Sequence, residues 1–253
     1  MNAADAALLG LAAFLAGGMN ALAGGGTFFS FPVLLAIGVP PVTANASNAV
    51  ALWPASLSSA YAYRDALRRF RHRLPALTLV AFVGGLLGGL LLLATQDHLF
   101  SRLIPWLLGL ATALFALSGR LATWLSKRKG RPAGCDTNTP GGLAFQCLVS
   151  IYGGFFGAGM GIVMIAALAI QGHTDLNHIN ALKNWLSAVI YSVAVATFVL
   201  AGAVSWPHTL VMLVTAVAGG YAGARLAQRL PAVWLRRFIT TTGCLLTTYY
   251  FLK

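Results

Sequence analysis

The feature that most limits this chain is a series of apolar segments, each long enough to cross a bilayer, separated by short arginine-rich stretches. A crossing helix needs about 20 consecutive apolar residues. Such segments lie at about 41–63, 74–95 and 101–125, and again at about 177–203, 207–229 and 233–252. Of the 253 residues, 58% are AVILMFWYC and only 9% are charged. Soluble domains are about 45–50% apolar and about 25% charged, so polar surface here is too scarce to cover a water-soluble globule. The expected class is an all-α polytopic membrane protein. A soluble enzyme, a nucleic-acid-binding domain and a disordered tail are all disfavoured.

Two further apolar runs, about 5–38 and about 142–172, are too long for one straight span. At 1.5 Å per residue they would reach about 45–50 Å, against a hydrocarbon core of about 30 Å. Glycines interrupt both: Gly24-Gly25-Gly26 in the first, Gly157-Ala158-Gly159-Met160-Gly161 in the second. Glycine relaxes the backbone and permits a break or a close approach. Each run is therefore read as a broken, hairpin-like element. The sequence alone leaves open whether it is re-entrant or a pair of short complete spans. The amino terminus lacks the basic region of a cleavable signal and carries Asp5, so the first run is expected to be retained.

The net charge of +12 would ordinarily raise nucleic acid as a partner. Here the positive charge gathers between spans. The segments 64–73, 120–131 and 225–237 hold five, five and four of the 17 basic residues. If these segments are cytoplasmic, as the positive-inside rule requires, every span acquires a direction. The first half then holds a glycine-broken run followed by out–in, in–out and out–in spans. The second half holds the same elements with every direction reversed. The expected organisation is two inverted repeats, residues 1–125 and 142–253, joined by a polar cytoplasmic linker at 126–141.

A shift of 135 residues supports the repeat. It places Gly24 on Gly159, Gly26 on Gly161, Asn45 on Asn180 and Asn48 on Lys183. Inverted repeats with glycine-interrupted elements in matching places point to a secondary-transporter site at the repeat interface. The rival reading is that the glycines only allow close helix packing.

The site chemistry follows from what the spans lack. There is no glutamate, and Asp5, Asp65, Asp97, Asp136 and Asp175 all fall at expected span ends or in loops. Cation sites inside a bundle need carboxylates; this inventory of amides, hydroxyls, backbone N–H groups and one lysine suits an anion. That lysine is Lys183, about two turns into its span beside Asn180 and Asn184. Its alternatives are an interfacial, snorkelling lysine and a site cation neutralised by a bound anion. In the first half Asn45 and Asn48 share a helix face, with Ser47 between them. These amides either donate to an oxyanion or hydrogen-bond between helices. A helix restarting after Gly26 or Gly161 would offer unpaired N–H groups, with Gly25, Thr27 and Gly159 beside them. Trp53 and Trp185 are deep enough to line a pocket. His173 and His178 are read as interfacial. Cys135, Cys147 and Cys244 form no metal-binding pattern. No catalytic triad, zinc motif or phosphate-binding loop is found, so no enzyme activity, metal or cofactor is expected.

The order and spacing of Ala23-Gly24-Gly25-Gly26-Thr27-Phe28-Phe29 with Pro32, Ala44-Asn45-Ala46-Ser47-Asn48, Asn180-Ala181-Leu182-Lys183-Asn184 and Gly219-Gly220-Tyr221-Ala222-Gly223-Ala224-Arg225-Leu226 resemble the TauE/SafE family of sulfite and organosulfonate exporters. The likeness covers essentially the whole chain. One departure is Met160, which interrupts a second glycine cluster that in the family often reads Gly-x-Gly-Gly-Gly. The resemblance implies export of small sulfur oxyanions from the bacterial cytoplasm by a multi-pass inner-membrane protein. Its expected partners are a small anionic sulfur-containing substrate and the lipid bilayer, with a homodimer allowed and no nucleic acid. An anion-selective channel and a non-transporting receptor or assembly subunit are the alternative functions.

Overall fold

A computed structural model describes residues 1–23, 26–127, 140–170, 176–227 and 232–252. Cys135, Asp136, His173, Asp175, Gly24, Gly25 and most of the linker lie outside the described residues. Among those described, all regular structure is helical. The first half comprises α1 (Ala3–Ala23), α2 (Thr27–Ala36), α3 (Pro41–Ala62), α4 (Arg64–Leu67) with a 3-10 turn at Arg68–Phe70, α5 (Leu74–Ala94) and α6 (Asp97–Lys127). The second comprises α7 (Pro140–Phe155), α8 (Met160–Ile170), α9 (Leu176–Leu200), α10 (Trp206–Ala227) and α11 (Ala232–Leu252).

Ala3–Asn20, Leu74–Ala94 and His178–Leu200 each have the length and hydropathy to cross a membrane. The outward faces of the first two carry large apolar side chains in rows. On α5, Leu79, Phe82, Leu87, Leu90 and Leu91 are exposed, with Leu79 at 63%. A water-soluble protein rarely tolerates contiguous apolar surface on this scale; hydrocarbon accommodates it.

The carboxylates that are described sit at helix ends. Asp5 accepts the Asn2 N–H at 3.3 Å while Asn2 Oδ1 accepts the Asp5 N–H at 2.7 Å, a reciprocal cap on α1. Asp97, in the first turn of α6, accepts the Val42 N–H at 2.9 Å and so satisfies an orphan donor of α3. Asp65 meets Arg68 at 3.7 Å on the exposed surface.

Both long runs are broken. A side-chain carbon on Gly26 would fall 2.3 Å from the Ala16 carbonyl oxygen. Ten residues of straight helix would separate these positions by about 15 Å, so α2 turns back along α1. In the second run the helix stops at Phe155 and restarts at Met160, and Gly157 and Gly159 take φ of +73° and +68°. Only glycine occupies that region without strain.

The two halves share one plan. A shift of 135 carries Pro41, where α3 begins, onto Leu176, where α9 begins, and Asp97, where α6 begins, onto Ala232, where α11 begins. Packing follows the same exchange: α1 packs most extensively on α10, and its counterpart α7 packs on α5, the counterpart of α10. Glycines make both contacts close. A Cβ on Gly219 would stand 1.9 Å from the Phe14 carbonyl, and one on Gly88 would stand 2.2 Å from that of Ile151. The same shift maps Gly84, Gly85 and Gly88 onto Gly219, Gly220 and Gly223, a match absent from the sequence reading above.

α3 and α9 cross antiparallel at the centre. Ser47 accepts the N–H of Ser205 at 2.9 Å, Trp53 donates to Ser192 at 2.8 Å, and Phe70 meets the His178 ring edge-on at 5.2 Å. Advancing along one helix therefore retreats along the other.

Candidate functional site

The broken segment between α7 and α8 is irregular backbone inside an apolar bundle, so its carbonyls require partners from elsewhere. Asn45 Nδ2 donates to the Phe155 carbonyl at 2.8 Å. The Tyr152 hydroxyl donates to the Ala158 carbonyl at 2.6 Å. Gly157 O accepts the Met160 N–H at 3.2 Å and receives a longer contact from the Tyr191 hydroxyl at 3.5 Å. Three side chains from two other helices and from α7 itself thus hold the break open.

A second network binds α2 to α3. Asn48 donates to Thr27 Oγ1 at 3.2 Å, and its carbonyl oxygen accepts the Ser30 hydroxyl. Thr27 also lies beside the Tyr191 hydroxyl. Thr27, Ser30, Asn45 and Asn48 are all buried.

Beside Tyr191 opens a small cavity of about 40 Å³. α1 contributes Asn20 to its wall, α3 contributes Ser56 and Ser59, and the second break contributes Gly157, Met160 and Gly161. α9 contributes Lys183, Asn184, Ser187 and Tyr191, which recur at helical spacing on one face. The Lys183 stem runs over Gly161, where an added Cβ would meet its Cδ at 3.7 Å. Among the described residues the Lys183 ammonium has no ion-pair or hydrogen-bond partner, and no carboxylate joins it in the wall. Asn20, Asn184, Ser56 and Ser187 likewise make no hydrogen bond through their side chains among the described residues. The wall is cationic and rich in donors, a chemistry that suits an anion.

On the far side of the break from Ser56 and Ser59, four phenylalanines interlock. Phe31 meets Phe156 at 5.6 Å and Phe100 at 6.4 Å, and Phe100 meets Phe155 at 5.6 Å, all edge-to-face. Asn45, near the start of α3, is level with this cluster through its bond to Phe155, whereas the cavity lies towards the end of α3. The shift of 135 pairs Phe155 with Asn20 and Phe31 with Ala166.

Of the residues singled out from sequence, Gly161, Lys183 and Asn184 line the cavity. Thr27 stands one contact behind it through Tyr191. The Asn45 and Asn48 amides are engaged in the protein's own hydrogen bonds, and Ser47 pins the α9–α10 connection. Gly26 packs on α1 and Gly159 on Ala111 of α6. Asn180 lies one turn before Lys183 and is not part of the wall; Gly25 lies outside the described residues. Trp53 and Trp185 do not line the pocket. Their indoles donate to Ser192 and Thr78, each at 2.8 Å, as interhelical ties. Gly157 and Met160, noted from sequence only as members of the second glycine cluster, line it as well, and Asn20, Ser56, Ser59, Ser187 and Tyr191 were missed. Asn20 had a signal: it is the one amide inside an apolar run that ends at the glycine triplet.

A family model for the sulfite exporter TauE/SafE matches residues 9–250. The chain belongs to this family. TauE/SafE proteins are membrane transporters of the sulfite-exporter type, and the polar cavity within an apolar bundle is consistent with that activity. A probable membrane transporter protein of Haemophilus influenzae is 26% identical over 246 residues, covering 95% of this chain and 92% of the relative. The probable membrane transporter protein YfcA of Escherichia coli K12 is 29% identical over 224 residues, covering 86% of this chain and 77% of YfcA. A similar protein, ORF9 of a Sinorhizobium species, is 27% identical over 225 residues, covering 88% of this chain and 83% of its own. No solved structure matches this TauE/SafE chain.

Proposed function

We propose that this protein is a secondary transporter that exports small sulfur oxyanions, sulfite or an organosulfonate, from the bacterial cytoplasm across the inner membrane. The observation that carries the reading is the unpaired Lys183 ammonium among amides and hydroxyls in a cavity without a carboxylate. An anion completes that site; a metal cation would find no charge to balance it. In the first turn of α8, Met160, Ile162 and Val163 donate their N–H groups to the Gly157 and Gly159 carbonyls, so that among the described residues the Gly161 N–H is the backbone donor left to add to the site.

Residues 1–125 and 142–253 act as inverted repeats around a cytoplasmic linker at 126–141, with the chain crossing the membrane many times. The shared element plan, the exchanged packing of α1 and α7, and the basic segments all support this arrangement. With 64–73 cytoplasmic, the cavity stands towards the cytoplasmic end of α3 and the four-phenylalanine seam towards the outside. The described conformation is then the inward-facing member of an alternating-access pair. With an inside-negative potential, outward movement of an anion gains about 2.3 kcal/mol per charge per 100 mV. Export needs no proton-binding carboxylate.

Reconstitution into liposomes loaded with sulfite tests this. The expected result is saturable, potential-sensitive efflux at carrier turnover rates. Absence of flux for sulfite and for a sulfonate panel would overturn the reading, and conductance far above carrier turnover would replace it with a channel.

A further inference from the structure

Ten described residues line the cavity, and among them only Met160 offers a purely apolar side chain. It opens α8, is 2% exposed, and contributes no hydrogen-bond donor. Its thioether lies flat on the bare backbone of α7. A Cβ built on Gly153 would stand 2.2 Å from Met160 Sδ and 3.0 Å from its Cγ. The shift of 135 that relates the halves pairs Met160 with Gly25. Glycine at that position carries no side chain, whereas Met160 carries a thioether whose Sδ and Cγ lie against Gly153. In a cavity of about 40 Å³ those atoms decide what fits.

Volume, not polarity, is what Met160 adds. The polar groups of the wall recognise the charged head of any sulfur oxyanion alike. A compact, single-centre oxyanion needs only that head group. The same head carrying an organic tail needs extra room, which the thioether fills. We propose that Met160 is a specificity-determining residue that sets the size limit of the transported anion, favouring single-centre oxyanions over organosulfonates. This rests on the anion site described under Proposed function and narrows its substrate.

The test compares sulfite and sulfoacetate transport in proteoliposomes containing the full chain. Met160→Ala is expected to raise the sulfoacetate-to-sulfite ratio of kcat/KM by about tenfold or more, the scale on which pocket volume discriminates. Gly153→Ala does the reverse by a different route. Its methyl displaces the flexible thioether towards the cavity, raising the KM for sulfite several-fold. In the double variant there is no thioether to displace, so adding Gly153→Ala to Met160→Ala should leave the sulfite KM unchanged. Residues in contact couple whatever their role, so it is the substrate ratio that separates a size limit from a purely structural Met160, which would change sulfite and sulfoacetate transport alike. An unchanged ratio in Met160→Ala with sulfite transport retained overturns the proposal. If Met160→Ala fails to fold, a wild-type sulfite KM in Gly153→Ala overturns it. A wild-type protein that moves neither anion brings down the transport reading as well, and is recognisable because no variant is needed to see it.

Discussion

Asn45 and Phe155 stand 110 positions apart in the chain and meet at 2.8 Å, amide nitrogen to carbonyl oxygen. That bond ties the helix of one half to the broken backbone of the other. Phe155 ends α7, and the carbonyls there have no intrahelical partner. Asn45→Ala leaves a buried acceptor unpaired, which costs about 1–3 kcal/mol. The expected outcome is a lower melting temperature in detergent with retained insertion, measured by thermal unfolding of purified protein.

Lys183 is expected to dominate anion affinity. A hydrogen bond to a charged group contributes about 1.5–3 kcal/mol, so Lys183→Ala should weaken sulfite binding by about tenfold to a hundredfold. Ligand-induced thermal stabilisation reads this directly. Saturating sulfite should raise the melting temperature of the wild type, by about 2.7 kcal/mol of stability at a hundred times Kd, and at that same concentration do much less for the variant.

Gly219 is expected to tolerate nothing larger. Its added Cβ would strike backbone, the Phe14 carbonyl at 1.9 Å, so α1 and α10 must part to admit it. Overpacking of this kind costs about 1–3 kcal/mol. Gly219→Ala and, 135 positions earlier, Gly84→Ala, whose Cβ would meet Ser150 Cβ at 2.5 Å, should each lower the melting temperature.

The phenylalanine seam can be probed by access. In a cysteine-free background with Ser56→Cys, a membrane-impermeant thiol reagent applied from the α3 N-terminal side should react slowly. Phe31→Ala removes a fully buried ring from the seam, leaves a cavity, and should speed that labelling at least severalfold. Equal rates would mean the seam does not seal that face.

Much of the fold was legible because its signals are local. Pro41 at the start of α3, the glycines at both breaks and the arginine segments mark boundaries without reference to any partner. Lys183 was legible too, since a lone cation within an apolar span demands an account. What escaped was pairing between helices distant in sequence. Asn45, Ser47, Asn48 and Trp53 have the chemistry of site residues, yet their partners Phe155, Ser205, Thr27 and Ser192 lie 18 or more positions away and only folding reveals them. Met160 was legible as the interruption of the second glycine cluster, but nothing in the sequence shows that it faces a cavity.

The exchange of α1 and α7 between halves has a consequence for biosynthesis. α1 leaves the ribosome early, but α10, against which its glycine face closes, begins only at Trp206. Until then the nascent amino-terminal half sits in lipid with Gly17 uncovered, and neither half owns the surfaces that complete it. Two polypeptides cut within the linker would each carry what the other lacks, so assembly, not insertion, is the step at which this molecule becomes whole.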